Sequence, residues 1–116
     1  MKLLLISLLL LTTLYAQEDV SPTVDNDLKP QMLFKIGQEY YFGKNMDSIK
    51  ALKYFKQACN QNHYEACSNV GLIYYYGHGV VQDDIKAKAY FAKACIGKYP
   101  LGCEYYHQID TQLISE

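Results

Sequence analysis

Apolar side chains recur at helical spacing along most of the chain after residue 30. The first periodic segment starts at Pro30, which suits the first turn of a helix because its missing N–H needs no partner there. Apolar and small residues then follow at i, i+3, i+4, i+7 and i+8, which predicts an amphipathic helix. Gly43 is expected to end this helix as a left-handed C-cap. The spaced positions are Leu33, Ile36, Gly37, Tyr40 and Tyr41.

Two further helices follow from the same pattern. Asp47 is a good N-cap for the second helix, and a turn around residues 60–63 then reverses the chain. The third helix is expected to stop at Gly77. The predicted buried stripes are Ala51, Phe55, Ala58 and Cys59 in the second helix and Ala66, Cys67, Val70, Gly71 and Tyr74 in the third.

The remaining residues predict two more helices. Val80 and Val81 are expected to tuck under the preceding hairpin, and Asp83 to cap the fourth helix. Gly97 and Pro100 bracket the next reversal, so the fifth helix begins at Pro100. The fourth helix should turn Ala87, Phe91, Ala94 and Cys95 inward, and the far side of the fifth is expected to be polar through Gln108, Asp110, Gln112 and Glu116.

The segment from Asp47 to Cys67 occurs twice in the chain, shifted by 36 residues, and residues 37–43 match residues 71–77 at a shift of 34. A period in the middle thirties is typical of stacked helical hairpins. The fold class predicted is therefore all-α, a short α/α solenoid of about two and a half hairpins. The identical pairs at the 36-residue shift are Asp47/Asp83, Ile49/Ile85, Lys50/Lys86, Ala51/Ala87, Tyr54/Tyr90, Phe55/Phe91, Ala58/Ala94, Cys59/Cys95 and Cys67/Cys103.

The N-terminal residues predict an exported protein. Lys2 precedes an apolar run from Leu3 to Leu11, and Ala16 offers a small residue for cleavage. Residues 1–16 are therefore interpreted as a signal peptide, residues 17–29 as a flexible acidic linker and residues 30–116 as the repeat domain. The competing interpretation is an uncleaved anchor, but the apolar run falls short of the roughly 20 residues that a spanning helix needs.

Composition removes some classes of partner. The 116 residues carry a formal net charge of −1, and all eleven basic residues are lysine. Without arginine there is no bidentate group for phosphate, so nucleic acid is not an expected partner. Membrane insertion is not expected either once the signal peptide is cleaved. Twelve residues are tyrosine.

The four cysteines form two pairs, each with seven residues between the partners. In an oxidising compartment this regular, even set predicts disulfides. Four cysteines allow three pairings, and the repetition favours the local one, Cys59–Cys67 and Cys95–Cys103. A zinc site made from all four is the alternative, although paired zinc ligands usually stand two to four residues apart.

No catalytic residue is identified. The serines after residue 16 are not followed three positions later by lysine, so the Ser-x-x-Lys nucleophile motif is missing. His63, His78 and His107 show no metal-binding spacing, so each is interpreted as a loop or surface residue. We expect no metal and no cofactor.

The repeated residues resemble the Sel1-like repeat, a relative of the tetratricopeptide repeat, and the paired cysteines resemble more narrowly the Helicobacter cysteine-rich proteins. This resemblance implies one disulfide per repeat, joining the second helix of one hairpin to the first helix of the next. The residues that carry it are Ala66, Val70, Gly71, Tyr74, Gly77, Gly79, Val80, Asp83, Lys86, Ala87, Tyr90, Lys93 and Ala94.

The resemblance also implies an interaction module that binds a protein or peptide partner along a concave face, in the periplasm or outside the cell. The alternative, taken from the family alone, is a β-lactamase or penicillin-binding protein that acts on β-lactams or cell-wall amides. If the tetratricopeptide geometry applies, the concave face comprises Phe34, Gln38, Tyr41, Ser68, Leu72, Tyr75, Glu104 and Gln108.

Overall fold

The computed structural model describes residues 28–115, and five helices occupy most of this stretch. There is no strand within these residues, so the predicted all-α fold is confirmed. The predicted signal peptide and residues 17–27 of the predicted linker lie outside the described residues. The helices are α1 (Pro30–Phe42), α2 (Ser48–Asn60), α3 (Tyr64–Tyr76), α4 (Asp84–Ile96) and α5 (Pro100–Ser115).

Three of the helices begin at a side-chain cap. The Asp47 carboxylate accepts a hydrogen bond from the Lys50 N–H at 3.0 Å, and Asp83 accepts the equivalent bond at 2.9 Å, as predicted. His63 caps α3 in the same way, because its Nδ1 accepts the Ala66 N–H at 3.2 Å. The two aspartate caps each stabilise a helix by about 1 kcal/mol.

Consecutive helices pack on one another, so α1–α2 and α3–α4 are antiparallel hairpins and α5 covers the second hairpin. In each hairpin a phenylalanine ring of the second helix lies against a glycine of the first helix. A Cβ on Gly37 would stand 2.6 Å from the Phe55 ring, and one on Gly71 would stand 2.7 Å from the Phe91 ring. The rings are fully buried and lie directly on the glycine backbone, which lets the two helices approach closely.

Two disulfides join successive hairpins. Cys59–Cys67 connects α2 to α3 with a Cα–Cα distance of 4.6 Å, and Cys95–Cys103 connects α4 to α5 with 4.4 Å. The predicted local pairing is therefore confirmed, and no free cysteine remains to form the alternative zinc site. Cys59 and Cys67 are fully buried, whereas Cys95 is only half-buried rather than fully inward.

The two turns between first and second helices differ from expectation. Gly43 is extended (φ −75°, ψ 176°) and not left-handed, so its predicted C-cap conformation is wrong. The longer second turn uses left-handed backbone at Gly77 and Gly79, with φ of 68° and 73°. Val80 packs against the core, but Val81 is 88% exposed because neighbouring residues of a non-helical chain point to different sides. The prediction that both valines are tucked under the hairpin is wrong for Val81.

The last helix also departs from the prediction. Gln108 donates a hydrogen bond from Nε2 to the Tyr75 hydroxyl at 3.2 Å, and Asp110 forms an ion pair with Lys88. Both side chains therefore face the preceding hairpin, and the prediction that they lie on the far side of α5 is wrong. Ile109 lies between them and is fully buried, whereas Ile114 is 78% exposed.

Gly71→Ala should lower the free energy of unfolding by about 1–3 kcal/mol, because the new methyl group forces the Phe91 ring off the helix backbone. Urea denaturation of the oxidised protein measures the change. Phe91→Leu in the same chain makes room for the methyl group. The double variant should therefore lose less free energy of unfolding than the two single variants lose in sum. Additive losses would show that the ring does not lie on the glycine.

Removal of either disulfide by paired Cys→Ala substitution should lower the free energy of unfolding by roughly 2–3 kcal/mol, because each bond closes a short loop in the unfolded chain. Urea denaturation without reductant measures the loss. Reduction of the wild-type protein is the matched control and should reproduce the variant that lacks all four cysteines. Equal stability of reduced and oxidised protein would contradict the prediction.

Candidate functional site

A continuous row of aromatic side chains crosses the repeats on the side of the first helices. Its rings run from Tyr41 on α1 through His78 in the α3–α4 loop to Tyr76 and Tyr75 at the end of α3, and then to Tyr105 on α5. Successive ring centroids are 5.8, 5.6, 5.0 and 5.6 Å apart. We call these five residues, together with Gln108, the tyrosine belt.

The hydroxyl groups of the belt are linked by hydrogen bonds. Tyr41 pairs with Nδ1 of His78, and the Tyr76 and Tyr105 hydroxyls are 3.1 Å apart. The Tyr75 hydroxyl accepts from Gln108. These bonds hold side chains from α1, α3, α5 and the α3–α4 loop in one surface, so contacts between different elements fix the positions of the rings.

An open cleft of about 630 Å³ lies at the α1 end of the belt, lined by Tyr41, Phe42, Met46, Ser48, Gly77, His78 and Gly79. Phe42 and Met46 are each 72% exposed. A Cβ on Gly79 would stand 3.1 Å from that of Ser48, so glycine there lets the α3–α4 loop pass close to the start of α2. No lysine, aspartate or glutamate lines the cleft. It therefore suits an apolar group with one or two polar atoms.

The structure brings together only some of the residues predicted for the concave face. Tyr41, Tyr75 and Gln108 come together in the belt, while Gln38 and Leu72 are half-buried and Glu104 is exposed. Phe34 and Ser68 cannot belong to an accessible face, and their prediction is corrected here. Phe34 is 9% exposed because it stacks on the His63 ring at 4.4 Å, and Ser68 is fully buried.

Two phenols of the belt are weaker acids than free tyrosine. Burial raises the pKa of Tyr41, and the hydrogen bond to Tyr76 raises the pKa of Tyr105 to about 12. Both hydroxyls are therefore neutral at physiological pH, and they can donate and accept hydrogen bonds without carrying charge.

Residues 28–115 contain no group of three or more histidine, cysteine, aspartate or glutamate side chains placed to hold a metal ion. His63 is a helix cap and His78 a member of the belt, while His107 is exposed on α5. Ser48 lines the cleft, and the buried Ser68 hydroxyl has no hydrogen-bond partner among the described residues.

Sequence reasoning missed His78, Tyr76 and Tyr105 as members of the site. The run Tyr74-Tyr75-Tyr76 followed by Gly77-His78-Gly79 was the available signal, because a helix end and a glycine turn bring aromatic rings to one edge. Tyr105 joins the belt only through the packing of α5 on the second hairpin.

The Sel1 repeat profile matches residues 30–63 and residues 65–99, which together are more than half of the chain. The chain belongs to the Sel1 repeat family. The two matched segments correspond to the hairpins α1–α2 and α3–α4, and α5 lies after the second match.

Two curated relatives of this Sel1 repeat chain carry the name "Putative beta-lactamase HcpC" and come from two strains of Helicobacter pylori. They are 41% and 39% identical to the chain over 51 residues, which is 44% of this chain. The matched stretch covers 17% of each relative. The chain is thus similar to a small part of those proteins.

The disulfides and these relatives are consistent with a Sel1 repeat protein that resides outside the cytoplasm. Among residues 28–115, none of the helices has the length and apolar character needed to cross a membrane.

Tyr76→Phe should return the pKa of Tyr105 from about 12 toward its usual value, because the substitution removes the hydrogen bond between the two phenols. The pKa of Tyr105 is higher in the folded chain than in the unfolded chain, so the neutral phenol stabilises the fold. This contribution of Tyr105 to the free energy of unfolding is present below about pH 10 and is lost as the pH rises through about 12. The free energy of unfolding of the variant should therefore fall less steeply over that interval.

Nuclear magnetic resonance of ¹³C-labelled tyrosine during a pH titration measures the Tyr105 pKa directly. Tyr99→Phe is the control, since Tyr99 lies outside the belt and its loss should leave the Tyr105 titration unchanged. A wild-type Tyr105 that titrates at the value of a free tyrosine would contradict the assignment.

Proposed function

We propose that this chain is an exported Sel1 repeat module whose tyrosine belt binds an extended segment of a protein or peptide partner. The observation that carries the proposal is the hydrogen-bonded belt itself, because it brings four tyrosine rings from three helices to one accessible surface beside a cleft without lysine or carboxylate. Tyrosine contributes large contact area and a polar tip, and it loses little conformational freedom on binding.

The proposed export has separate support. Residues 1–16 have the charge and hydrophobic pattern of a signal peptide, and both disulfides require an oxidising compartment to persist. We therefore propose cleavage near Ala16, with the mature protein in the periplasm or outside the cell.

Hydrolysis of β-lactams is not proposed. It is supported only by the name of the HcpC relatives, of which the matched stretch is 17%. No lysine or carboxylate lines the cleft to activate the Ser48 hydroxyl, and the one imidazole in the lining, that of His78, has its Nδ1 engaged by the Tyr41 hydroxyl. Binding of a β-lactam without turnover would need only the cleft.

The joint substitution Tyr41→Ala and Tyr75→Ala should weaken partner binding at least about thirtyfold, because truncating a single hot-spot tyrosine at the centre of an interface costs about 2 kcal/mol. Oxidised mature protein is used to capture partners from envelope extract, and the captured protein is then purified and titrated against each variant. The Phe variants at the same positions separate ring contacts from hydroxyl hydrogen bonds.

Tyr54→Ala is the matched control, since this half-buried tyrosine lies on α2 outside the belt, and it should leave affinity unchanged. Affinity lost in the Tyr54 variant but kept in the belt variant would place the binding surface elsewhere. Steady-state hydrolysis of nitrocefin by the same protein, if substitution of one side chain abolishes it, would contradict the proposal that the protein only binds.

A further inference from the structure

A second surface repeats along the solenoid, apart from the tyrosine belt. Tyr40 on α1 stacks on Tyr54 of α2 with ring centroids 5.7 Å apart and planes within 8°. Tyr74 stacks on Tyr90 in the second hairpin at 6.0 Å and 16°. These pairs are equivalent positions of the two repeats, so the arrangement is built twice.

Lysine ammonium groups lie over these rings. Lys50 is 5.4 Å from the centre of the Tyr40 ring, and its repeat equivalent Lys86 is 5.4 Å from that of Tyr74. Lys56 reaches Tyr74 from the preceding hairpin at 5.3 Å, which connects the two copies. We call these three lysines, together with the half-buried rings of Tyr40, Tyr54 and Tyr90 and the buried ring of Tyr74 beneath them, the Lys–Tyr surface.

The three lysines of this surface carry positive charge that no ion pair among residues 28–115 engages. Within that range none of its three lysines forms an ion pair with a carboxylate. Two carboxylates, those of Asp47 and Asp83, are engaged with helix N-termini, and Asp110 is paired with Lys88. The described residues contain ten lysines and seven acidic residues, a formal excess of three positive charges (10 − 7).

The compensating negative charge lies immediately before the described residues. Residues 17–27 contain four carboxylates, at Glu18, Asp19, Asp25 and Asp27, and no basic residue. We propose that this acidic segment of the chain docks on its own Lys–Tyr surface. The inference does not depend on the partner of the tyrosine belt.

The point of attachment allows this contact. The Leu28 carbonyl accepts a hydrogen bond from Nε2 of Gln61, just after α2, and the Leu28 side chain packs against the core. Lys56 lies on α2, five residues before Gln61, which corresponds to about 7.5 Å along the helix axis. Eleven residues extend up to about 36 Å, so residues 17–27 reach both copies of the lysine position.

Because residues 17–27 are covalently attached to the domain, they meet the Lys–Tyr surface at a higher effective concentration than a separate acidic chain does. A short flexible tether holds a ligand at an effective concentration on the order of millimolar, so even exposed ion pairs are populated. Such pairs weaken strongly with salt, because the Debye length falls from about 10 Å at 0.1 M to about 3 Å at 1 M. Salt sensitivity is therefore a required property of the contact.

Lysine acylation followed by mass spectrometry tests the proposal on the mature chain, residues 17–116. Lys50, Lys56 and Lys86 should react about threefold more slowly than in the variant Glu18→Gln, Asp19→Asn, Asp25→Asn and Asp27→Asn, the size expected for exposed ion pairs. Lys44, an exposed residue of the α1–α2 turn, is the internal control and should react equally in both proteins. Equal rates at all four lysines would overturn the proposal.

Carbodiimide cross-linking gives an independent second measurement. At low salt, residues 17–27 should join to Lys50, Lys56 or Lys86 within a monomer, and the yield should fall severalfold in 1 M NaCl. The variant Lys50→Gln and Lys86→Gln should reduce the yield without shifting it to Lys44. Cross-links found only between two chains, or spread evenly over all lysines, would show that the segment does not occupy its own surface.

Discussion

Each hairpin of this solenoid depends on one contact, in which a phenylalanine ring lies on the bare backbone of a glycine. Gly37 receives Phe55, and Gly71 receives Phe91 with the same geometry. No room for a methyl group remains at either place, so the two helices approach closely over a thin core. The disulfides then join hairpins that are each defined by this contact, which compensates for the small area that a short solenoid can bury.

The adjacent tyrosines that follow each of these glycines belong to two different surfaces. Successive residues on a helix point about 100° apart, so residues that follow the glycine diverge. Tyr40 and Tyr74 turn toward the second helix of their hairpin and collect lysines, whereas Tyr41 and Tyr75 turn toward the α3–α4 loop and α5. One duplicated dipeptide thus supplies both an uncharged belt and a basic surface, and a change in helix spacing would disturb both together.

Much of the fold could be predicted from local residue chemistry. Asp47 caps a helix because its carboxylate reaches the free N–H groups of the next turn, and repetition favoured the local pairing of the cysteines. The binding face was predicted less well, since its register was taken from tetratricopeptide geometry. Phe34 is buried because it stacks on a helix-capping histidine, and that contact depends on how α1 meets the turn after α2. Tyr105 joins the belt through an interhelical contact that no local pattern contains.

The chemistry of the belt also bears on the enzymatic name of the HcpC relatives. Among residues 28–115, the only hydroxyl–imidazole hydrogen bond joins Tyr41 to His78. A nucleophile is activated when its pKa falls or a base takes its proton, but burial raises the pKa of Tyr41. The pair therefore orients a phenol at the edge of the cleft, and the raised pKa works against its use as a nucleophile. What this chain shares with the HcpC relatives is repeat sequence over 51 residues, and a shared fold by itself does not carry a reaction.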